Sequence, residues 1–227
     1  SDRAGDADRA TIMTTCRDDG LLLKPDRPAW PLDGMFLPHK RPYLAASESR
    51  NAAGAWTYLA AYHLASGHPE RTIEDENYGL FMYEGDPVDQ MFVFPKRVSD
   101  WKVDLAAELG LHGKVALYDW RAGTARTVEG AFEIAPIEHL YDYAYYVVAP
   151  INPDGIALIG EPAKYVTMAD RRFTSVEYVA GGERVTLEGA PGEKVTVRAF
   201  DARANAMLPD VEATIGQDGT GKATVVR

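Results

Sequence analysis

The feature that most constrains this chain is the rhythm of its second half. "HLYDYAYYVVAPI" (139–151) alternates, placing Tyr141, Tyr143, Tyr145 and Val147 on one face of an extended segment. "GIALIGEPAKYVTMA" follows, and then "FTSVEYVAGGERVTLEG" and "EKVTVRAFDA", divided by the turns "AGGE" and "APGEK". "VEATIGQDGTGKATVV" reads as a closing hairpin about "QDGTGK". Short apolar runs recurring every roughly 8–15 residues with glycine turns between them predict a mainly β fold, an antiparallel β-sandwich. The alternation predicts that each sheet keeps one wet face.

The same rhythm begins upstream. "AWTYLAAYHLA" (55–65) reads as a strand because aromatic residues are enriched and "SGHPE" breaks it. The runs 77–85, 89–97, 101–106 and 114–123 are further short strands. Residues 3–17 are different. Asp6 or Asp8 can cap a helix there, Ile12, Met13 and Cys16 recur at helical spacing, and Gly20 stands in the usual stop position. From there to about residue 50 the chain reads as proline-studded coil. Its segment "LLLKPDRPAWPLDGMF" (21–36) is too apolar for a linker and too rich in proline for a helix interior or a central strand.

Of the 227 residues, 46% are hydrophobic and 26% charged, enough for a real core. The net charge of −10 argues against nucleic acid as a partner, which needs a basic face. No apolar run is long enough to span a membrane. Cys16 is the single cysteine, so no internal disulfide framework exists, and it reads as a buried, inert thiol. The chain opens Ser1-Asp2-Arg3 with no initiator methionine, which leads us to expect a piece of something longer.

Motifs with a direct chemical meaning are missing. There is no glycine-rich phosphate loop and no G-x-S-x-G elbow. His39, His63, His68, His112 and His139 are scattered without zinc-ligand spacing. Most carboxylates lie in turns, where they cap or face water. Asp119 in "LYDWRAG" reads as a structural partner of Arg121, because a catalytic carboxylate wants a second one across a pocket. Trp30, Trp56, Trp101 and Trp120 each offer an indole face to a sugar ring, or else pack in a core.

The opening stretch carries a resemblance. Ser1-Asp2-Arg3 with Gly5 and Asp8, then Asp19, Gly20, Leu23, Arg27, Pro28, Asp33 and Phe36 within "DDGLLLKPDRPAWPLDGMF", resemble the end of the catalytic barrel in the raffinose synthase and alkaline α-galactosidase family of clan D glycoside hydrolases. Lysine replaces an arginine of that pattern after "LLL", and "AWPL" replaces a shorter insert. "SDWKVDLAAELGLHGKVALYDWRAGTA" and "FEIAPIEHLYDYAYYVVAPI" are similar in layout to the sandwich that follows the barrel there.

The resemblance implies that residues 1–50 are the last helix and exit segment of a (β/α)₈ barrel, and that 51–227 are a C-terminal β-sandwich. In that family two aspartates on middle barrel strands perform retaining hydrolysis. They lie upstream of anything here, so no catalytic residue, metal or cofactor is assigned to this chain. Asp2, Trp30 and Asp33 are the candidate substrate-binding residues, Asp2 at the end of a late barrel strand and Asp33 at the rim. The expected partners are the upstream barrel segment and carbohydrate. Two other classes stand beside this reading. One is a carbohydrate-binding module using Trp30, Trp56 or exposed tyrosines. The other is a structural or assembly domain with the 141–145 tyrosine stripe at an interface.

Overall fold

The computed structural model describes residues 8–32, 43–62, 102–137 and 142–227. Over these the chain is mainly β and antiparallel, as the alternation predicts. A six-stranded sheet runs in the order β1 (Arg27–Pro31), β2 (Tyr43–Asn51), β3 (Gly54–Tyr62), β8 (Tyr143–Pro150), β5 (Lys114–Asp119), β6 (Thr124–Glu129). Two short strands, β4 (Lys102–Asp104) and β7 (Ala131–Glu133), pair with each other, and a one-turn helix α2 (Leu105–Leu109) follows β4. Asp104 caps α2 by accepting from the amides of Ala106 and Ala107, and Gly110 closes it in the left-handed conformation.

The C-terminal strands form the facing layer. β10 (Phe173–Val179), β11 (Gly182–Glu188) and β15 (Thr220–Val226) make one sheet. In the other, β12 (Lys194–Asp201) pairs along its first half with β14 (Val211–Thr214). Its second half pairs with β9 (Ile156–Gly160) and β13 (Ala206–Met207).

Burial follows the period-two geometry of strands, but on both faces of the large sheet. Trp56 and Tyr58 of β3, Ala116 and Tyr118 of β5, and Val147 and Ala149 of β8 join one core group with Val185, Leu187, Val195, Val197, Ala223 and Val225. The alternate residues Leu59, Ala61, Leu117, Tyr146 and Val148 face the other way. They form a second group with Leu44, Val103, Leu105, Phe132 and Ile134. The expectation of one wet face per sheet is therefore corrected for the central strands. β4, α2 and β7 roof the second face, so β3 is buried at six consecutive positions. β15 keeps the predicted alternation of exposed and buried residues.

Three other expectations change. The helix α1 spans only Arg9–Met13, with Asp8 as its cap, rather than 3–17. Past Met13, the hydroxyls of Thr14 and Thr15 donate back to the carbonyls of Thr11 and Ile12, and the chain turns so that Cys16 bridges Leu22. The coil expected over 18–50 contains β1 and β2, and the β2–β3 hairpin straddles residues 50 and 51. Prolines 28 and 31 are tolerated because β1 is the edge strand. The last two strands form no hairpin ladder, since β14 pairs with β12 and β15 with β11. The runs expected at 77–85 and 89–97 lie outside the described residues.

Candidate functional site

Asp2 and Asp33 lie outside the described residues. Trp30 is on β1, half-buried against the second core group, with the Arg27 guanidinium 3.7 Å from its ring centroid. Trp56 is 1% exposed and donates its indole N–H to the Leu158 carbonyl at 2.7 Å, so it has no face to offer a ligand. Trp120 donates to the Lys164 carbonyl at 3.0 Å and packs its ring 4.7 Å from that of Tyr165. Trp101 is outside the described residues. Asp119 does not pair with the Arg121 side chain. Its Oδ1 accepts from the amides of Arg121 and Ala122 and closes the β5–β6 turn, while the Arg121 guanidinium goes to Asp142 and the Tyr143 carbonyl.

Charges read as solvated turn residues assemble into a buried cluster. Arg172, 1% exposed, donates from Nε to Glu161 at 2.8 Å, and from its terminal nitrogens to Glu193 and the Glu188 carbonyl. Burial pushes the Glu161 carboxyl up against the opposing pull of Arg172 and Lys164. For Glu193, burial is outweighed by hydrogen bonds from Arg172 and the Ala190 amide, which hold its carboxyl below the usual value. Every arm of Arg172 is occupied, so this cluster is a structural weld rather than a site.

The weld also fastens the N-terminal segment. Lys164 Nζ donates to the carbonyls of Met13 and Cys16, each at 2.8 Å. Arg17 donates to the Arg171 carbonyl at 2.9 Å, the Asp18 amide to Glu193 at 3.2 Å, and the Tyr165 amide to the Thr14 carbonyl at 3.0 Å. The segment's backbone is thus held firmly, yet α1 buries none of its residues. Ile12 is 48% exposed, Leu21 39% and Leu22 57%. Three large apolar side chains are therefore bare on a segment whose backbone is hydrogen-bonded to the sandwich.

Beside this segment lies a row of tyrosines on one face of the large sheet. Tyr43, Tyr62 and Tyr143 are cross-strand neighbours, with ring centroids 6.4 and 6.2 Å apart. The Tyr143 hydroxyl lies 3.2 Å from that of Tyr165, and Arg121 sits 5.0 Å from the Tyr143 ring. Burial, together with Tyr165, pushes the Tyr143 hydroxyl up to about 12, so it stays protonated and can donate.

On the opposite face of the sheet is a cleft of about 590 Å³ between the β5–β6 hairpin and the β4–β7 pair. Leu117, Asp119 and Tyr146 form its floor, and the exposed Arg126 stands at its rim. Lys102, Phe132, Glu133 and Pro136 stand on its wall. The floor and rim positions follow from register, since Asp119 lies opposite Tyr146 on one side and Leu117 opposite Arg126 on the other. The Tyr146 hydroxyl accepts from the Ala135 amide at 2.8 Å and so ties wall to floor. Sequence reasoning singled out Asp119 but not the cleft, because Lys102 and Glu133 reach it only through the β4–β7 pairing.

No group of His, Cys, Asp and Glu among the described residues could hold a metal ion. No helix among them is long and apolar enough to cross a membrane. Compared with protein-family models and with curated proteins, the chain finds no match in either.

Proposed function

We propose that this chain is the C-terminal part of a glycoside hydrolase acting on α-galactosides or related α-glycosides, a β-sandwich that docks against a catalytic barrel bearing the two aspartates. The observation that carries this reading is the N-terminal segment. Residues 8–23 are clamped to the sandwich by Lys164, Arg17 and Glu193, while Ile12, Leu21 and Leu22 point outward into solvent. Burying those three side chains against a partner is worth on the order of several kcal/mol by the area removed from water. A partner that uses this face finds the backbone already ordered, so little entropy is lost on docking.

The test is hydrolysis of an aryl α-galactoside by this chain alone and by this chain joined to the barrel segment that the resemblance implies. The isolated chain is expected to be inert and the joined protein active. Ile12→Asp with Leu22→Asp is expected to lower the thermal midpoint of the joined protein while leaving that of the isolated chain almost unchanged. Turnover by the isolated chain, or an unchanged midpoint in the joined variant, overturns the reading.

A second reading, a carbohydrate-binding or assembly module, is favoured by the tyrosine row. Tyrosine rings with free edges are common both on sugar platforms and at subunit interfaces. Retention on an α-galactoside-bearing polysaccharide, lost in Tyr62→Ala, separates the two.

A further inference from the structure

We propose that the cleft between the β5–β6 hairpin and the β4–β7 pair is a saccharide-binding subsite that accepts a neutral pyranoside. The inference rests on the carbohydrate reading above for its ligand class, and on the cleft itself for its place and chemistry.

The size is suitable. About 590 Å³ falls within the ~300–1,000 Å³ typical of small-molecule sites. The chemistry is balanced. Lys102 and Arg126 bring donors, Asp119 and Glu133 bring acceptors, and the formal charges of these four cancel. An anion would meet two carboxylates and a cation two basic groups. A polyhydroxylated neutral molecule can donate to the former and accept from the latter.

These groups are also unspent. Among the described residues the side chains of Lys102, Arg126 and Glu133 make no hydrogen bond or ion pair, although all three line one cleft and opposite charges stand close by in sequence. The Asp119 turn uses only Oδ1, which leaves Oδ2 for a ligand. Beneath the polar groups lie Leu117 and Tyr146 of the floor and Phe132 of the wall, the two rings meeting edge to face with centroids 5.5 Å apart. These three side chains are only 2–4% exposed, so they form the packed base of the cleft, and the apolar surface open to a ligand comes from the exposed Ala135 and Pro136 on the wall.

The site is rigid where it needs to be. Leu117 and Tyr146 belong to central strands buried on both faces, and the Tyr146 hydroxyl holds the wall through Ala135. Arg126 and Glu133 are exposed at the rim, so replacing them leaves the core intact.

The experiment titrates the chain with methyl α-galactoside and with melibiose, followed by calorimetry and by saturation-transfer NMR. Inorganic phosphate serves as the anionic comparison. Saturable binding of a saccharide is expected, weakened about tenfold by Arg126→Ala and by Glu133→Gln, each of which removes one or two ligand hydrogen bonds. Lys194→Ala, a distant surface change, is expected to leave binding unaltered, and thermal midpoints of all variants should match the parent. Absence of saturable saccharide binding overturns the proposal. So does binding that both rim variants retain, or phosphate binding tighter than either saccharide. Saccharide binding without restored hydrolysis by the joined protein would leave this site standing and remove the barrel reading. Restored hydrolysis without saccharide binding to the isolated chain would do the reverse.

Discussion

Replacing Glu183 by glutamine should change how the stability of this protein responds to pH. Glu183 lies near the start of β11, the middle strand of the β10–β11–β15 sheet, 4% exposed, opposite Tyr178 on one side and Val225 on the other. Its Oε1 accepts one hydrogen bond, from Asn152 Nδ2 at 2.9 Å, and its Oε2 has no partner. No cation among the described residues pairs with it, so burial dominates and lifts the carboxyl from 4.5 to about 7. The folded state therefore holds the proton more tightly than the unfolded chain. Stability from this group is fully present below pH 4.5 and is lost as pH rises through about 7. At about 1.4 kcal/mol per pH unit, the loss is on the order of 3 kcal/mol by pH 8. The assay is urea unfolding at half-unit steps from pH 4.5 to 8.5, with parent and Glu183→Gln run side by side. Glutamine keeps the acceptor for Asn152 and cannot ionise. The two proteins should be of similar stability near pH 5, and the variant should be the more stable by roughly 2–3 kcal/mol at pH 8. Glu161, also raised by burial, titrates in both proteins and cancels in the difference. A difference that stays constant across the range would refute the argument.

Arg172→Met leaves Glu161 and Glu193 buried without their cation, and should cost roughly 3–5 kcal/mol in urea unfolding, with the loss smaller at acid pH. Lys164→Met frees the Met13 and Cys16 carbonyls, so limited proteolysis should cut within 8–23 sooner while the sandwich melts almost as before. Gly160 sits at φ +94°, where a Cβ would lie 2.1 Å from the Thr167 carbonyl oxygen, and Gly160→Ala should destabilise by more than 1 kcal/mol in the same assay.

The C-terminal strands were legible because their chemistry is local. β11, β12 and β15 alternate β-branched and polar residues between glycine turns, and that pattern alone sets their faces. β1 and β2 were not. Prolines mask the first, and the second, "YLAASESRN", is made of small and polar residues whose only apolar pair inward is Leu44 and Ala46. Burial of the large sheet on both faces was hidden too, because its roof comes from β4, α2 and β7, elements a few residues long. The buried cluster had no signal: Glu161, Arg172 and Glu193 stand in separate turns and meet only through the fold. Asp119 was legible as a turn residue but not as part of a cleft, since its neighbours there come from a pairing 31 residues apart in sequence, Lys102 with Glu133.

The order of the large sheet has a consequence for how the chain folds. Thr57 of β3 pairs with Val148 of β8, so the β1–β2–β3 meander cannot acquire its inner neighbour until more than eighty further residues have been synthesised. Until then the edge of β3, with Trp56 and Leu59 on its two sides, has no ladder partner. Long-range closure of this kind is slow, and an open strand edge is adhesive. Early in its life this polypeptide should be a client of holding chaperones, with the arrival of β8 as the event that releases it.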